Sequence, residues 1–245
     1  MRNEIYQIYG EFLAGKKLDV SRRFQDPSID IIVERTDYLR QISTSKKVLH
    51  IGCLDHPDII LEKVQSGTWL HGLISNVSEL CVGIDVNNSG YNLVRGELGI
   101  DNIQLLDLAK PLTDDELANL RQVEWDLILC PEILEHITNH QKLLQNLAAL
   151  ACPDTRLIIT GPNAFRFGNF VNTLRRFEEL NTDHSYWFSF YTLSHILAVN
   201  GWQPCRLIYY DQPKEKLWLR VLSELAVRMS RAFSDGLIIE AVPFN

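Results

Sequence analysis

Seven short apolar runs separated by longer helical patterns constrain this chain most. The runs are "KVLHIG" (47–52), "ELCVGID" (79–85), "NIQLLD" (102–107), "WDLILC" (125–130), "RLIITGP" (156–162), "PCRLIYYD" (204–211) and "GLIIEAV" (236–242). Most are continuously apolar rather than alternating, the pattern of strands covered on both faces. Helical patterns fall between them, for example over 133–150 and 191–200. Another covers 214–233, with Leu217, Val221, Leu225 and Met229 at spacing four. Such alternation predicts an α/β fold: a mostly parallel seven-stranded sheet with helices on both faces. Residues 1–46 read instead as amphipathic helices. The second, "DPSIDIIVERTDYLRQIS", has Asp26 or Ser28 as its cap and Pro27 near its first turn. No repeat or linker divides the remainder. The expectation is a helical N-terminal cap over 1–46 and one α/β domain over 47–245.

Composition narrows the function. Of 245 residues, 46% are hydrophobic and 22% charged, enough for a sizeable core. The net charge of −7 argues against a non-specific nucleic-acid binder, which usually presents a basic face. Five cysteines, odd in number and without a CxxC pair, read as buried free thiols in a reducing compartment. The N-terminus "MRNEIYQIYGEF" has no uninterrupted apolar stretch, and no run of 18 apolar residues exists. Neither a signal peptide nor a membrane span is expected, and the expected location is the cytoplasm.

In a sheet of this kind, ligands bind beyond the carboxyl ends of the strands, near the switch in strand order. The segments to examine are therefore Gly52–His56, Asp85–Asn88, Asp107–Leu108, Cys130–His136 and Gly161–Ala164. Gly52 is the only glycine of "KKVLHIGCLDHPDI", so the three-glycine dinucleotide fingerprint is absent. A nicotinamide oxidoreductase is disfavoured for that reason. The Asp85 carboxylate can accept both hydroxyls of a ribose; the plainer reading is an aspartate capping its own turn. Asp107 can accept from an adenine amino group, with Leu108 covering the ring. In "CPEILEHI", Glu132 and His136 stand at i and i+4 and can share a helical face. An imidazole at His136 suits removal of a hydroxyl proton, and equally suits a helix-terminal hydrogen-bond network.

Taken together, "VLHIGCLDH" (48–56), the strand-tip acids and "WDLILCPEILEHITNHQKLLQNLAALACPDTRLIITGPNAF" resemble the class I S-adenosylmethionine-dependent methyltransferases over roughly 45–210. That family has a Rossmann-like fold, and its first motif reads approximately V-L-D-I-G-C-G-x-G. The resemblance implies that Gly52, with Cys53 in the same turn, lets the backbone approach the methionine part of the cofactor. Asp55 would meet the cofactor's ammonium group and Asp85 would hold the ribose. Asp107 and Leu108 would frame the adenine. Cys130 and Pro131 would line the floor near the methyl group. His50 departs from the family's usual acid, and Leu54 and His56 replace two usual glycines.

"NTDHSYWFSF" (181–190) resembles the D-H-x-x-W/F segment of several methyltransferase branches. It implies His184 as a second candidate base, with Tyr186, Trp187, Phe188 and Phe190 as walls of an acceptor pocket. Glu132, Glu135, His136 and His184 resemble the divalent-metal set of small-RNA 2′-O-methyltransferases, and in part that of quinone-biosynthesis O-methyltransferases. The expected activity is O-methylation of a hydroxyl on a small molecule or saccharide-type glycan precursor. The alternatives are a metal-dependent RNA 2′-O-methyltransferase and a non-catalytic binding protein that keeps the fold.

Overall fold

The computed structural model describes residues 4–28, 32–213 and 217–244. Its strands are β1 (Ile32–Val33), β2 (Lys47–Ile51), β3 (Leu80–Asp85), β4 (Ile103–Leu105), β5 (Leu127–Pro131), β6 (Arg156–Pro162), β7 (Trp202–Tyr210) and β8 (Gly236–Pro243). They form one sheet in the order β1-β7-β8-β6-β5-β2-β3-β4. β8 runs antiparallel between β6 and β7, and the remaining pairs are parallel. All seven expected runs are strands. The eighth, β1, is two residues long and came with no apolar alternation to announce it.

The helices are α1 (Glu4–Leu13), α2 (Arg35–Ile42), α3 (Pro57–Gln65), α4 (Leu70–Ser75), α5 (Asn88–Leu98), α6 (Asp114–Leu120), α7 (His140–Leu150), α8 (Phe167–Leu174), α9 (Phe190–Val199) and α10 (Leu217–Met229). Successive residues of a strand face opposite sides of the sheet. Leu49, Ile128 and Ile159 join one core with Leu144 of α7 and Leu193 of α9. Their neighbours Val48, Leu129 and Ile158 join a second core with Leu39 of α2 and Ile74 of α4. Both faces are therefore dry, which is why these strands do not alternate. Each such side chain contributes about 1.5–3 kcal/mol by leaving water.

Among the described residues of 1–46, fewer are helical than expected. The second helix begins at Arg35, capped by Glu34, whose side chain accepts from the Asp37 amide. Before it, β1 pairs with Tyr209 and Tyr210 of β7 and extends the sheet. Asp26 caps no helix; it accepts from the Ser28 amide and from the Tyr209 hydroxyl, both at 2.8 Å. Residues 29–31 of the expected helix, and 214–216 of the last one, lie outside the described residues. α2 is tied to the sheet at Glu240, a buried carboxylate on β8 that accepts from Tyr38 and pairs with Arg156 and Arg206.

Two further expectations change. The pattern over 133–150 divides into a 3-10 turn, Leu134–His136, and α7, because Asn139 caps a new helix by accepting from the Lys142 amide. In α10, Val221, Leu225 and Met229 face solvent, while Ser223, Ala226 and Val227 are buried. The five cysteines are free, and four of them are buried. Among the described residues no helix is long and apolar enough to cross a membrane.

β2 leads to β3 on one side, while β5 leads to β6 on the other. The switch in strand order thus falls between β2 and β5, and their carboxyl ends open a crevice there.

Candidate active site

The turn after β2 is built without the second and third glycines. Gly52 has φ 68°, and a Cβ there would lie 2.0 Å from Cδ1 of Ile133. Both the left-handed backbone and the packing of Ile133 therefore require glycine. The Gly52 amide donates to the Ile84 carbonyl at 2.8 Å, continuing the β2–β3 ladder. The Leu54 amide donates to Asp85 Oδ2 at 2.8 Å, and the Cys53 carbonyl accepts from Trp69 Nε1 at 2.9 Å. Three anchors hold a path that glycines usually make possible.

His50 lies beneath this turn. Its Nδ1 is 3.2 Å from Nδ1 of His71 on α4, and both rings are buried. Burial holds His50 well below the ordinary histidine range, with His71 adding to the effect; burial brings His71 down to about 4. Both rings are then neutral near pH 7, one donating at Nδ1 and the other accepting. The position of the family's acid is used here for packing between sheet and helix.

Above the turn lies a cleft of about 570 Å³, lined by Gly52, Leu54, Asp85, Val86, Pro131 and Glu132 among others. It continues into a pocket of about 290 Å³ lined by Asp107, Leu108, Ile133 and Ile137. Gly52, Asp85 and Asp107 are thus brought together as expected. Asp85 also accepts from the Asn87 amide at 2.9 Å, and burial raises its carboxyl above the ordinary range. Each of its oxygens keeps a second acceptor site. Asp107 accepts from the Ala109 amide at 3.0 Å and pairs with Lys110 at 2.9 Å. An apolar slot with a carboxylate at each end has the chemistry of a nucleoside site.

Other expected residues stand differently. Asp55 lines the cleft but its carboxylate is paired with Lys63 at 2.5 Å, so a cation already occupies it. Cys53 is buried at the cleft wall, and burial pushes its thiol far up. Cys130 corrects the expectation: it is wholly buried in the first core, because side chains alternate along β5 and its neighbour Pro131 takes the cleft side. Val86, Asn87 and Ile133 lie in the strand-end segments singled out from the sequence, without a role assigned to them; Arg35 was not foreseen. Arg35 had no signal in the sequence, since it arrives from α2.

Glu132 has φ 55°, a left-handed conformation rare for a non-glycine residue. It and His136 therefore do not share a helical face. Glu132 Oε1 accepts from Thr160 Oγ1 and from Tyr210 OH, both at 2.7 Å, with Arg35 at 3.6 Å. The side chain borders two clefts, the one above and a neighbouring one of about 570 Å³ that also includes His184, Arg166, Trp187 and Tyr210.

Beside it, the Ser185 amide donates to the Glu135 carbonyl at 2.7 Å and brings the "DHSYWF" loop onto the 3-10 turn. His136 and His184 meet edge to face with centroids 4.5 Å apart. His136 Nδ1 is 3.0 Å from Asp183 Oδ2, which leaves Nε2 as the proton-accepting atom. Glu135 is 0% exposed, and neither carboxylate oxygen has a hydrogen-bond partner. Burial, and then Glu132, push its carboxyl up to about 8. Burial, and then His136, lower His184, whose Nδ1 is also unpartnered. Glu135, His136 and His184 each offer a ligand atom, all within 4.8 Å of one another. Three of the four expected metal ligands converge; Glu132 is held elsewhere. An orphaned buried carboxylate beside two imidazoles fits either a proton or a divalent cation. Of the four aromatics, Trp187 lines the second cleft, whereas Phe188 and Phe190 belong to the core.

Residues 28–206 match a family model described as a methyltransferase domain. Over 131 residues the chain is 25% identical to the ubiquinone biosynthesis O-methyltransferase of Coxiella burnetii, an alignment covering 53% of this chain and 50% of that protein. The chain spans about half the length of the curated relatives it matches. Its fold is similar to that of a SAM dependent methyltransferase from Archaeoglobus fulgidus, with TM-score 0.54 and 17% identity over 84% of this chain and 92% of the other. It is also similar to magnesium protoporphyrin IX methyltransferase from Synechocystis PCC 6803 with bound SAH, with TM-score 0.52 and 18% identity over 85% and 82%. A strand-switch cleft with acids at two strand tips, lying within the matched residues, agrees with that family. The chain belongs to the S-adenosylmethionine-dependent methyltransferases.

Proposed function

We propose that this methyltransferase acts on oxygen, methylating a hydroxyl of a small-molecule or saccharide-type acceptor. The observation that carries the reading is the cluster of Glu135, His136 and His184 beside Glu132, the residue that borders both clefts. Bound S-adenosylmethionine supplies a methyl group on a sulfonium that is already a good leaving group. The chain's work is then binding, orientation and removal of one proton.

Asp85 would accept from the ribose hydroxyls, and Asp107 from the adenine amino group. Leu108, Val86 and Ile133 would cover the base. Gly52 would leave room for the methionine part. The acceptor would enter the second cleft, past Arg166 and Trp187. His136, held at Nδ1 by Asp183, would take the hydroxyl proton at Nε2, with His184 orienting the oxygen. A general base of this kind contributes about 10²–10⁴-fold.

A second reading has the same cluster hold a divalent cation through Glu135, His136 and His184. It is favoured by the two unpartnered oxygens of Glu135. Such an ion would orient the acceptor hydroxyl and lower its pKa. Likeness to a protein named for O-methylation in ubiquinone biosynthesis supports oxygen as the acceptor atom. The net charge of −7 favours a small molecule over RNA. The reading is tested by following S-adenosylhomocysteine formation with phenols, saccharides, an RNA oligonucleotide, amines and thiols. Turnover with phenols or saccharides supports it; turnover confined to amines or thiols, or to RNA, overturns it.

A further inference from the structure

α8 is amphipathic, yet none of its residues is buried. Leu174 is 71% exposed, and Phe177 in the segment that follows is 70% exposed. α10 packs against α8 and adds Leu225, 50% exposed, and Met229, 85% exposed. Isolated apolar side chains on a surface mean little, but a run on two touching helices marks an interaction site.

The charge on this face departs from the rest of the molecule. Residues 164–180 and 220–231 carry six arginines against three glutamates, in a chain whose net charge is −7. Arg175, Arg176, Arg220 and Arg228 are exposed. The face also adjoins the acceptor side of the site, because Arg166 and Leu180 line the same cleft as Glu132 and His184.

We propose that the face formed by α8, the segment after it and α10 docks on an anionic lipid bilayer. Aromatic and aliphatic side chains would enter the headgroup boundary, and the surrounding arginines would meet acidic headgroups. A second copy of the chain fits less well: a two-fold interface would bring this arginine-rich face against itself. Docking turns the mouth of the second cleft toward the lipid, so that an acceptor with an apolar tail can reach it without leaving the bilayer. The docking does not rest on which atom is methylated and is measured without turnover.

The test is flotation of the full chain with vesicles of phosphatidylcholine alone and of phosphatidylcholine with phosphatidylglycerol. Wild type is expected to float with the anionic vesicles, more weakly at high salt, and to stay behind with phosphatidylcholine alone. The double variants L174S/F177S and R175E/R176E should each lower partitioning about tenfold. Both are on exposed positions and should keep the wild-type melting temperature, which shows that they fold. No flotation by the wild type overturns the proposal, and so does flotation equal in the wild type and both variants. A dimer that L174S/F177S disrupts, without vesicle binding by the wild type, overturns it in favour of self-association.

Discussion

The imidazoles of His136 and His184 stand edge to face, 4.5 Å between centroids and 88° between planes, although 48 positions separate them in the chain. The Ser185 amide on the Glu135 carbonyl makes the meeting possible. If this pair handles the acceptor proton, H136A should lower kcat by about 100-fold or more and leave S-adenosylhomocysteine affinity within a few-fold. D183N should fall between the two, since it loosens His136 without removing it. Single-turnover kinetics and calorimetry on the same preparations check this. Equal losses of turnover and cofactor affinity would place the pair in the cofactor site instead.

Asp85 has two tasks, fixing the Leu54 amide and facing the cleft. D85A should weaken S-adenosylhomocysteine binding at least tenfold, because a hydrogen bond to a charged group is worth about 1.5–3 kcal/mol. D85N, which keeps one acceptor, should lose less. Isothermal titration gives both values.

Gly52 admits no side chain. G52A forces a Cβ onto Ile133 and an unfavourable φ, so stability should fall by about 1–3 kcal/mol. Adding I133A should relieve the contact but not the backbone strain. Thermal melting of the single and double variants would then show partial recovery.

The cation reading makes its own prediction. Incubation with EDTA should lower turnover at least tenfold, and Mn²⁺ or Mg²⁺ should restore it. E135Q should lose that restoration. Turnover indifferent to EDTA assigns proton removal to His136 alone.

His50 and His71 make stability depend on pH. Both have folded pKa values below the ordinary value near 6.5, His71 at about 4. Below pH 6.5 the unfolded chain binds more protons than the folded one. Their contribution is therefore full above about pH 6.5 and lost as the pH falls toward 4. For His71 the loss is on the order of a few kcal/mol. Melting temperatures measured from pH 7.5 to 5 should fall, and H71Q should flatten that slope.

The sheet was legible because its strands are covered on both faces, and continuous Val, Ile and Leu runs have few other uses. The acids at the tips of β3 and β4 followed from the strands. Long-range contacts were not legible. Arg35 reaches Glu132 across 97 positions, and nothing near either residue signals it. The i, i+4 reading of Glu132 and His136 failed because Glu132 takes a left-handed backbone, held by Thr160 and Tyr210 from two other strands. His50 looked like a defect in the first motif; its partner His71 lies on a helix 21 positions away. β1 is too short to carry a pattern, and its partner β7 is far away in the chain.

The most direct measurement is a structure of the chain with S-adenosylhomocysteine. The adenine is expected between Leu108 and Ile133, the ribose on Asp85, and the sulfur beside Glu132 on the side of His136 and His184. A ligand outside the cleft of Gly52, Asp85 and Asp107, or a sulfur turned away from the two imidazoles, would contradict the assignment.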